Sequence, residues 1–312
     1  MTWSDGLGTT LTLAGRGRDL LTPEDGARPI VMSAQRVDVT VTPERKVARL
    51  AVHDCLDGDV REVTELVGLK AMSGFRTAVA ERVPDLVEAR TPLSLLVDDT
   101  PGATLISGFA FSRWTDVDLM LDVSRTQGHV RRMEGICTGF MPGSSGLAPD
   151  GTARWNHRTR RVRPLAEDPD PWAWHNVPTI TEVSMRRMRR IDVWQEDGRL
   201  RIDAMFQDSS TTPDGGRDAV HEYSLAATAG LGSGELLEVL AVPRVLPYAE
   251  CPLATLQVDR LVGVPLEGLR AAVLERLPGT AGCTHLNDAL RALADVPHLA
   301  TLLEPDNERP HQ

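Results

Sequence analysis

The stretch that decides the fold is residues 190–206, which read RIDVWQEDGRLRIDAMF. Apolar residues alternate with polar ones on both sides of Asp197-Gly198, and such alternation is typical of a strand with one buried face. Asp-Gly between two alternating runs favours a two-residue hairpin turn, because both positions tolerate a positive φ. The stretch therefore predicts a β-hairpin, and the fold can be read outward from it.

An earlier stretch looks like a copy of this hairpin. Residues 36–39 read RVDV, residues 43–45 form a turn, and residues 47–52 alternate again. In each stretch an aspartate follows the arginine by eighteen positions, Asp54 after Arg36 and Asp208 after Arg190. Downstream, residues 74–84 and 268–278 share a Gly-…-Arg-…-Glu-Arg-…-Pro helical pattern. Agreement in the same order at both ends predicts an internal duplication.

Strands followed by helices in two related copies predict an α+β fold, with antiparallel hairpins or sheets packed against helices. We divide the chain into an irregular lead-in over 1–29, a degenerate first copy over 30–112, a loop-rich middle segment over 113–185, a second copy over 186–305 that carries the candidate site, and a tail over 306–312. Within the middle segment, the alternation from Asp116 to Val123 predicts one strand.

Composition narrows the class of protein. The chain has 312 residues, 41% hydrophobic and 25% charged, with a formal net charge of −10, which is typical of a globular protein and disfavours nucleic-acid or acidic-membrane binding. No long apolar run predicts a membrane span, and the start lacks a secretory signal, so we expect a cytoplasmic protein with a homodimer as one option. The four cysteines should then be reduced thiols, metal ligands or core residues.

The second copy carries most of the candidate chemistry. His221 lies on a predicted strand, Cys251 precedes Pro252 at a predicted helix start, and Cys283 precedes a helix that Thr284 would cap. Two cysteines at helix N-termini are placed where unpaired N–H groups favour a thiolate. Cys283 and His285 also stand in Cys-x-His spacing. The first copy lacks counterparts of these residues, so we interpret it as structural.

Two kinds of site remain open for these residues. As a metal site, His221, Cys251, Cys283 and His285 supply thiolates and imidazoles that suit zinc or an iron–sulfur centre. Without metal, Cys283 would be a nucleophile, with His285 or His221 as its acid or base. The chain lacks a phosphate-binding Gly-Lys-Ser/Thr loop and a dinucleotide fingerprint, so we expect no nucleotide cofactor.

The middle segment and the arginines suggest how a substrate would be held. Residues 139–145 form a Gly- and Ser-rich loop whose backbone N–H groups suit an anion, and residues 171–175 read PWAWH. Arginines concentrate at 154–163 and 186–190, and their guanidinium groups bind carboxylates and phosphates. We predict that this segment covers the site and that a small anionic molecule is bound by Arg187, Arg190, Ser144, Ser145, Trp172 and His175.

From residue 221 to 296 the chain resembles the U-type iron–sulfur cluster scaffold family. The resemblance is carried by Cys251 with Ala254, by Leu261-Val262-Gly263, and by Cys283-Thr284-His285-Leu286, with His221 near the place of that family's first cysteine. It implies a cluster-binding role. His221-Glu222 replaces the family's Cys and nearby Asp, however, and residues 277–281 replace its chaperone-binding signal.

The whole chain also resembles a bacterial family of unknown function with the signature Cys-Thr-His-Leu-Asn-Asp, here residues 283–288. That resemblance implies no activity. We expect a non-redox enzyme of lyase, isomerase or hydrolase type that acts on a small anionic molecule through the cysteine–histidine site. The alternative is a metal- or cluster-binding accessory protein. The aromatic, arginine-rich cover favours the enzyme, because a substrate must be enclosed and its charge held.

Overall fold

A computed structural model describes residues 1–116 and 132–303. The fold is α+β with two antiparallel sheets packed with helices, as the sequence predicts. The chain divides into two compact units, one of residues 1–105 with 295–312 and one of residues 106–294. Of the predicted strand from Asp116 to Val123, all positions from 117 onward lie outside the described residues.

The first unit contains a five-stranded meander in chain order. Its strands are β1 (Thr2–Trp3), β2 (Leu11–Leu21), β3 (Ile30–Val41), β4 (Val47–Asp54) and β5 (Val60–Glu62). The prediction of an irregular lead-in over 1–29 is wrong, because β2 pairs along its length with β3. The alternation Leu11-Thr12-Leu13 was the available signal: Leu11 and Leu13 are buried and Thr12 is exposed.

Short helices cover one face of this sheet. They are α1 (Phe75–Arg82), α2 (Pro84–Glu88), α3 (Pro92–Asp98) and α4 (Thr100–Ile106), and α7 (Val296–Thr301) also belongs to this unit. The core between sheet and helices is aliphatic, with Val39, Leu50, Leu66 and Phe75 each at most 1% exposed. Its burial is the main stabilising term here, because each fully buried side chain of this size contributes about 1.5–3 kcal/mol.

The second unit contains the other sheet. Its strands are β6 (Arg160–Arg161), β7 (Met185–Glu196), β8 (Arg199–Thr211), β9 (Arg217–Gly230) and β10 (Leu236–Val245). β7 to β10 form an antiparallel meander, and β6 pairs with the start of β9. The turn between β7 and β8 is Asp197-Gly198, and both residues have a positive φ, of 51° and 70°, as the hairpin prediction requires.

Helical segments after β10 carry the two cysteines of the second copy. Residues Cys251–Leu261 form a 3₁₀ helix, followed by α5 (Leu269–Arg276) and α6 (Thr284–Ala292). Cys283, rather than the predicted Thr284, is the N-cap of α6. Other 3₁₀ helices in the described residues include Thr138–Phe140 and Gly279–Ala281. No helix among the described residues is long and apolar enough to cross a bilayer.

The duplicated motif is visible in both sheets. Arg36 pairs with Asp38 on β3 at 2.8 Å, and Arg190 pairs with Asp192 on β7 at 2.7 Å. The partner strands are offset, however: Arg36 lies opposite His53, whereas Arg190 lies opposite Met205. The longer turn of the first hairpin shifts its register. The shared spacing of eighteen residues therefore does not place Asp54 and Asp208 at equivalent points.

Candidate functional site

A row of charged and polar side chains crosses the second sheet. Arg187 on β7 lies opposite Asp208 on β8, and Asp208 lies opposite His221 on β9. Asp208 has no exposed surface and His221 is 7% exposed. Directly opposed residues on neighbouring strands lie about 4.5–5.5 Å apart at Cβ, so pairing alone brings the three side chains together.

Arg187 holds the carboxylates of this row. Its guanidinium donates two hydrogen bonds of 2.9 Å to the two oxygens of Asp208, and a third of 2.9 Å to Asp288 on α6. The same group lies over the ring of Phe206, 4.9 Å from its centroid. Bidentate Arg–carboxylate pairs fix geometry as well as charge. Asp208 is thereby held in one position in the core.

Helix α6 brings Cys283 and His285 to this row. His285 Nδ1 lies 3.9 Å from the Cys283 sulfur and 3.3 Å from Thr284 Oγ1, and His285 Nε2 lies 3.6 Å from Asp208 Oδ2. The His285 ring therefore lies between the thiol and the carboxylate, and its Nε2 faces Asp208 without a hydrogen bond of normal geometry. The His285 ring stacks on His221, with centroids 3.5 Å apart and planes 14° apart.

Burial keeps both imidazoles neutral. Desolvation lowers the pKa of His285 to about 3, with Arg187 as the second cause, and it lowers the pKa of His221 well below 6.5, with His285 as the second cause. Two neutral rings can stack without charge repulsion. A neutral His285 with its proton on Nε2 would face Asp208 with the donor and Cys283 with the acceptor.

The expectation of a resting thiolate at the helix starts is wrong. Burial raises the pKa of Cys251 to about 12 and also raises that of Cys283. At Cys283 the Tyr223 hydroxyl and the N–H groups of Leu286 and His285 lower the pKa, but desolvation outweighs them. Cys283 is 3% exposed, so its resting form is a thiol.

The other cysteines of this unit surround the same place. An ideal Cβ on Gly139 would lie 2.7 Å from the Cys251 sulfur and 4.0 Å from the Cys137 sulfur, so only glycine fits there without displacement. The buried Tyr223 hydroxyl has no hydrogen bond of normal geometry. Burial raises its pKa well above 10, and Cys283, Cys251 and Cys137 all add to the effect. Three thiols and one phenol therefore share one buried region.

The predicted substrate-binding residues have partners within the chain. The Ser145 N–H and Oγ donate to Glu250 at 3.0 and 2.6 Å, so the Gly- and Ser-rich loop does hold an anion, but one of its own. Ser144 Oγ donates to the Gly139 carbonyl at 2.9 Å. Arg190, which was expected to anchor substrate, instead pairs with Asp192 and Asp170. Arg187 is engaged by Asp208 and Asp288 as described above.

The tryptophan-rich part of the middle segment is half-buried. Trp174 Nε1 donates to Asp168 at 2.8 Å, and the Trp172 N–H donates to Asp170, the partner of Arg190. His175 is half-buried in the same turn. The contacts described here place these residues beside β7 rather than beside Cys283. Their role in substrate binding stays a prediction.

Sequence reasoning missed Asp208, Asp288, Tyr223 and Cys137 as members of this cluster. Asp208 was within reach: once Asp197-Gly198 is taken as a two-residue turn, counting outward places Asp208 opposite Arg187. Tyr223 lies two positions after His221 on β9, so the alternation of side chains along a strand places both on the same face. The sequence could therefore have predicted Tyr223 as a neighbour of His221. No local pattern connects Cys137, in an irregular segment, with Cys283.

One set of buried side chains has potential metal-ligating atoms close together. Ligand atoms of Asp208, His221 and His285 lie within 4.8 Å of one another, and all three residues are buried. His221 Nδ1 has no hydrogen-bond partner. The predicted set of His221, Cys251, Cys283 and His285 shares two members with this group.

Residues 185–298 match the model of a family described as a protein of unknown function (DUF2889). The matched region contains every member of the cluster except Cys137, and it agrees with the expected resemblance to an uncharacterised family. Comparison with curated proteins gives no match, and comparison with solved structures gives none. The resemblance to the iron–sulfur scaffold family stays a prediction.

Proposed function

We propose that the second unit is a thiol-dependent enzyme of hydrolase type, with Cys283 as nucleophile and His285 as its base. The observation that carries the proposal is the line of three groups, with 3.9 Å from sulfur to His285 Nδ1 and 3.6 Å from His285 Nε2 to Asp208. A nucleophile, a base and a group that orients the base form the recurring unit of nucleophilic catalysis. Apo distances of this kind are commonly longer than in the reacting complex.

The roles follow from the charges. As the sulfur bonds to an acyl carbon, its proton moves to His285 Nδ1, and the resulting imidazolium is stabilised by the Asp208 carboxylate. His285 then gives the proton to the leaving group, and water hydrolyses the thioester with His285 again as base. Arg187 holds the Asp208 carboxylate in place and does not touch substrate. The neutral resting thiol requires a base at the moment of attack, which this arrangement supplies.

Other parts of the expected function remain part of the proposal. A small anionic substrate fits the pairing of a thiol site with basic side chains. A cytoplasmic location fits as well, because a reducing compartment preserves the free thiols that the mechanism needs. A homodimer stays a prediction.

Reaction with a small activated ester tests the proposal. Incubation with p-nitrophenyl acetate should release a burst of nitrophenol and leave an acetyl group on the tryptic peptide that contains Cys283. Cys283→Ser should lose the burst, whereas Cys55→Ser, which changes the exposed cysteine of the first unit, should keep it. Acetylation found at Cys55 alone, or a full burst in Cys283→Ser, would refute the assignment.

A second candidate is a metal centre at Asp208, His221 and His285, supported by their ligand atoms lying within 4.8 Å of one another. Two histidines and a carboxylate suit several transition metals. The stacked rings count against it as placed, because imidazole lone pairs lie in the ring plane and parallel planes do not converge on one ion. One ring would have to turn. Zinc or an iron–sulfur centre that also uses Cys251 and Cys283 remains a variant of this candidate.

Metal analysis of protein purified without oxygen separates the two candidates. Stoichiometric metal that His221→Gln removes would support the metal centre and contradict the proposed thiol mechanism for the resting enzyme. Visible absorbance with bound iron would point to the cluster variant. Full burst activity in metal-free protein supports the thiol enzyme.

A further inference from the structure

A groove of about 360 Å³ opens on the second unit. Its lining includes Thr138, Met141, Leu253, Leu256, Gln257 and Arg260. The volume is at the low end for small-molecule sites, which run from roughly 300 to 1,000 Å³. The groove therefore suits a molecule smaller than a nucleotide cofactor.

One wall of the groove is apolar and open to solvent. Leu253 is 46% exposed and Leu256 is 70% exposed, and both lie on the 3₁₀ helix Cys251–Leu261. Met141 faces them from the middle segment. Removing exposed leucine surface from water is favourable, so an apolar chain lying along this wall would be stabilised.

Arg260 supplies positive charge in the same groove. Its guanidinium donates a hydrogen bond of 3.3 Å to the carbonyl of Arg276, but it makes no ion pair with any residue in 1–116 or 132–303. The chain as a whole carries a net charge of −10. An unneutralised arginine next to exposed leucines is complementary to a molecule with an apolar chain and an anionic head.

The groove borders the segment that carries the nucleophile. Thr138 donates from its backbone N–H and its hydroxyl to the carbonyl of Gly282, at 2.9 and 2.8 Å, and Gly282 directly precedes Cys283. The wall with Leu253 and Leu256 begins at Cys251. Molecules bound in the groove would therefore lie next to the two chain segments that hold the thiols.

We propose that this groove binds the substrate, and that the substrate class is an aliphatic chain bearing a carboxylate. The chain would lie on Leu253, Leu256 and Met141, and the carboxylate would pair with Arg260. That the bound molecule is a substrate rests on the proposed function, but the binding itself does not require Cys283 to react. The anion anchor is thus Arg260, in place of the Arg187 and Arg190 expected from sequence.

Calorimetry with decanoate tests the binding, and decanol tests the role of the charge. The variants are Leu256→Asp and Arg260→Gln, with two matched controls on exposed positions outside the groove, Leu240→Asp on β10 and Arg199→Gln on β8. We expect Leu256→Asp to weaken decanoate at least tenfold. Arg260→Gln should weaken decanoate about fivefold and leave decanol unchanged, and both controls should bind as the unaltered protein does.

Three results would overturn the inference. These are no measurable binding of decanoate, equal weakening by Leu240→Asp and Leu256→Asp, or equal effects of Arg260→Gln on decanoate and decanol. Cys283→Ala keeps the two proposals apart. Unchanged decanoate binding in that variant is expected, and it holds whether or not Cys283 proves to be the nucleophile, whereas loss of binding there would contradict a groove built from Leu256 and Arg260.

Discussion

The two sheets share an architecture and a sequence motif, yet they bury different chemistry. The covered face of the first sheet is aliphatic, with Val39 and Leu50 at its centre. The second sheet instead buries Arg187 on its edge strand β7 and Asp208 on β8, 5% and 0% exposed at their side chains. The comparison teaches that related hairpins can have different roles. In the first sheet the hairpin is structural, and in the second it positions the side chains of a polar site.

The buried charges of the second sheet require ion-pair partners. A buried charge is tolerated only when it is paired and hydrogen-bonded, and Arg187 meets this condition with two carboxylates. The matching pair of the first sheet is partly exposed: Asp38 pairs with Arg36, with 19% and 44% of their side chains exposed, and lies 3.0 Å from His53. The buried row weakens the core relative to aliphatic packing, so its presence calls for a function.

The largest expected effect contrasts the two aspartates of the motif. Asp208→Ala should lower the free energy of unfolding by about 3–5 kcal/mol, because it leaves Arg187 buried with one of its two partners removed. Asp54→Ala should cost about 1 kcal/mol, since Asp54 accepts only neutral hydrogen bonds, from the N–H groups of Leu56 and Asp57 and from the Gln35 side-chain amide. Urea unfolding measures both. Equal losses would mean that the two copies are energetically alike.

We expect acid to lower the stability of the second unit, because its buried histidines are neutral in the folded state. Burial lowers the pKa of His157 to about 4, below the 6.5 of an unfolded chain. Below pH 6.5 the unfolded state therefore binds a proton that the folded state does not. Stability falls as the pH drops from 6.5 to 4, by up to about 1.4 kcal/mol per pH unit for this residue.

His157→Phe should reduce that slope in urea titrations at several pH values. Phenylalanine can keep the edge contacts that the imidazole makes with Phe109 and Trp155. Trp155→Phe is the matched control, because it alters the same ring cluster without removing a titrating group. An unchanged slope in His157→Phe would show that the acid sensitivity lies elsewhere.

Glycines test close packing in each of the two units. An alanine at position 139 would place Cβ 2.7 Å from the Cys251 sulfur, and one at position 17 would place it 2.7 Å from Pro92 Cβ. Each substitution should cost about 1–3 kcal/mol. Gly108→Ala, with nothing within 4 Å, should not. Only Gly139→Ala should also change the rate at which Cys283 is acylated.

The smallest effects are expected for the shared surface pairs. Arg36→Ala and Arg190→Ala should each cost less than about 1 kcal/mol, as partly exposed ion pairs do. Neither should change the burst with p-nitrophenyl acetate. A lost burst in Arg190→Ala alone would restore Arg190 to the site, as first expected from the sequence, and would break the parallel between the copies.

The sequence predicted the hairpin of residues 190–206 and the helix after Cys283, because alternation and capping residues are local signals. It also brought His221 and His285 to one site. It missed β2, whose glycines and charged residues at 15–19 hide the alternation, and it misjudged Arg187, whose partners lie on two other elements. The protonation state of the thiols depends on their burial by residues far apart in the chain. The spacing of the cysteines in the sequence does not reveal that burial.

The most direct test of the central claim compares Asp208→Asn with Asp54→Asn in the rate of Cys283 acylation by p-nitrophenyl acetate. Asparagine preserves shape but removes the carboxylate that the proposed mechanism uses to orient and stabilise His285. We predict that Asp208→Asn slows acylation at least about 100-fold, with the protein still folded by circular dichroism, and that Asp54→Asn leaves the rate unchanged. Equal rates in the two variants would contradict a Cys283–His285–Asp208 mechanism.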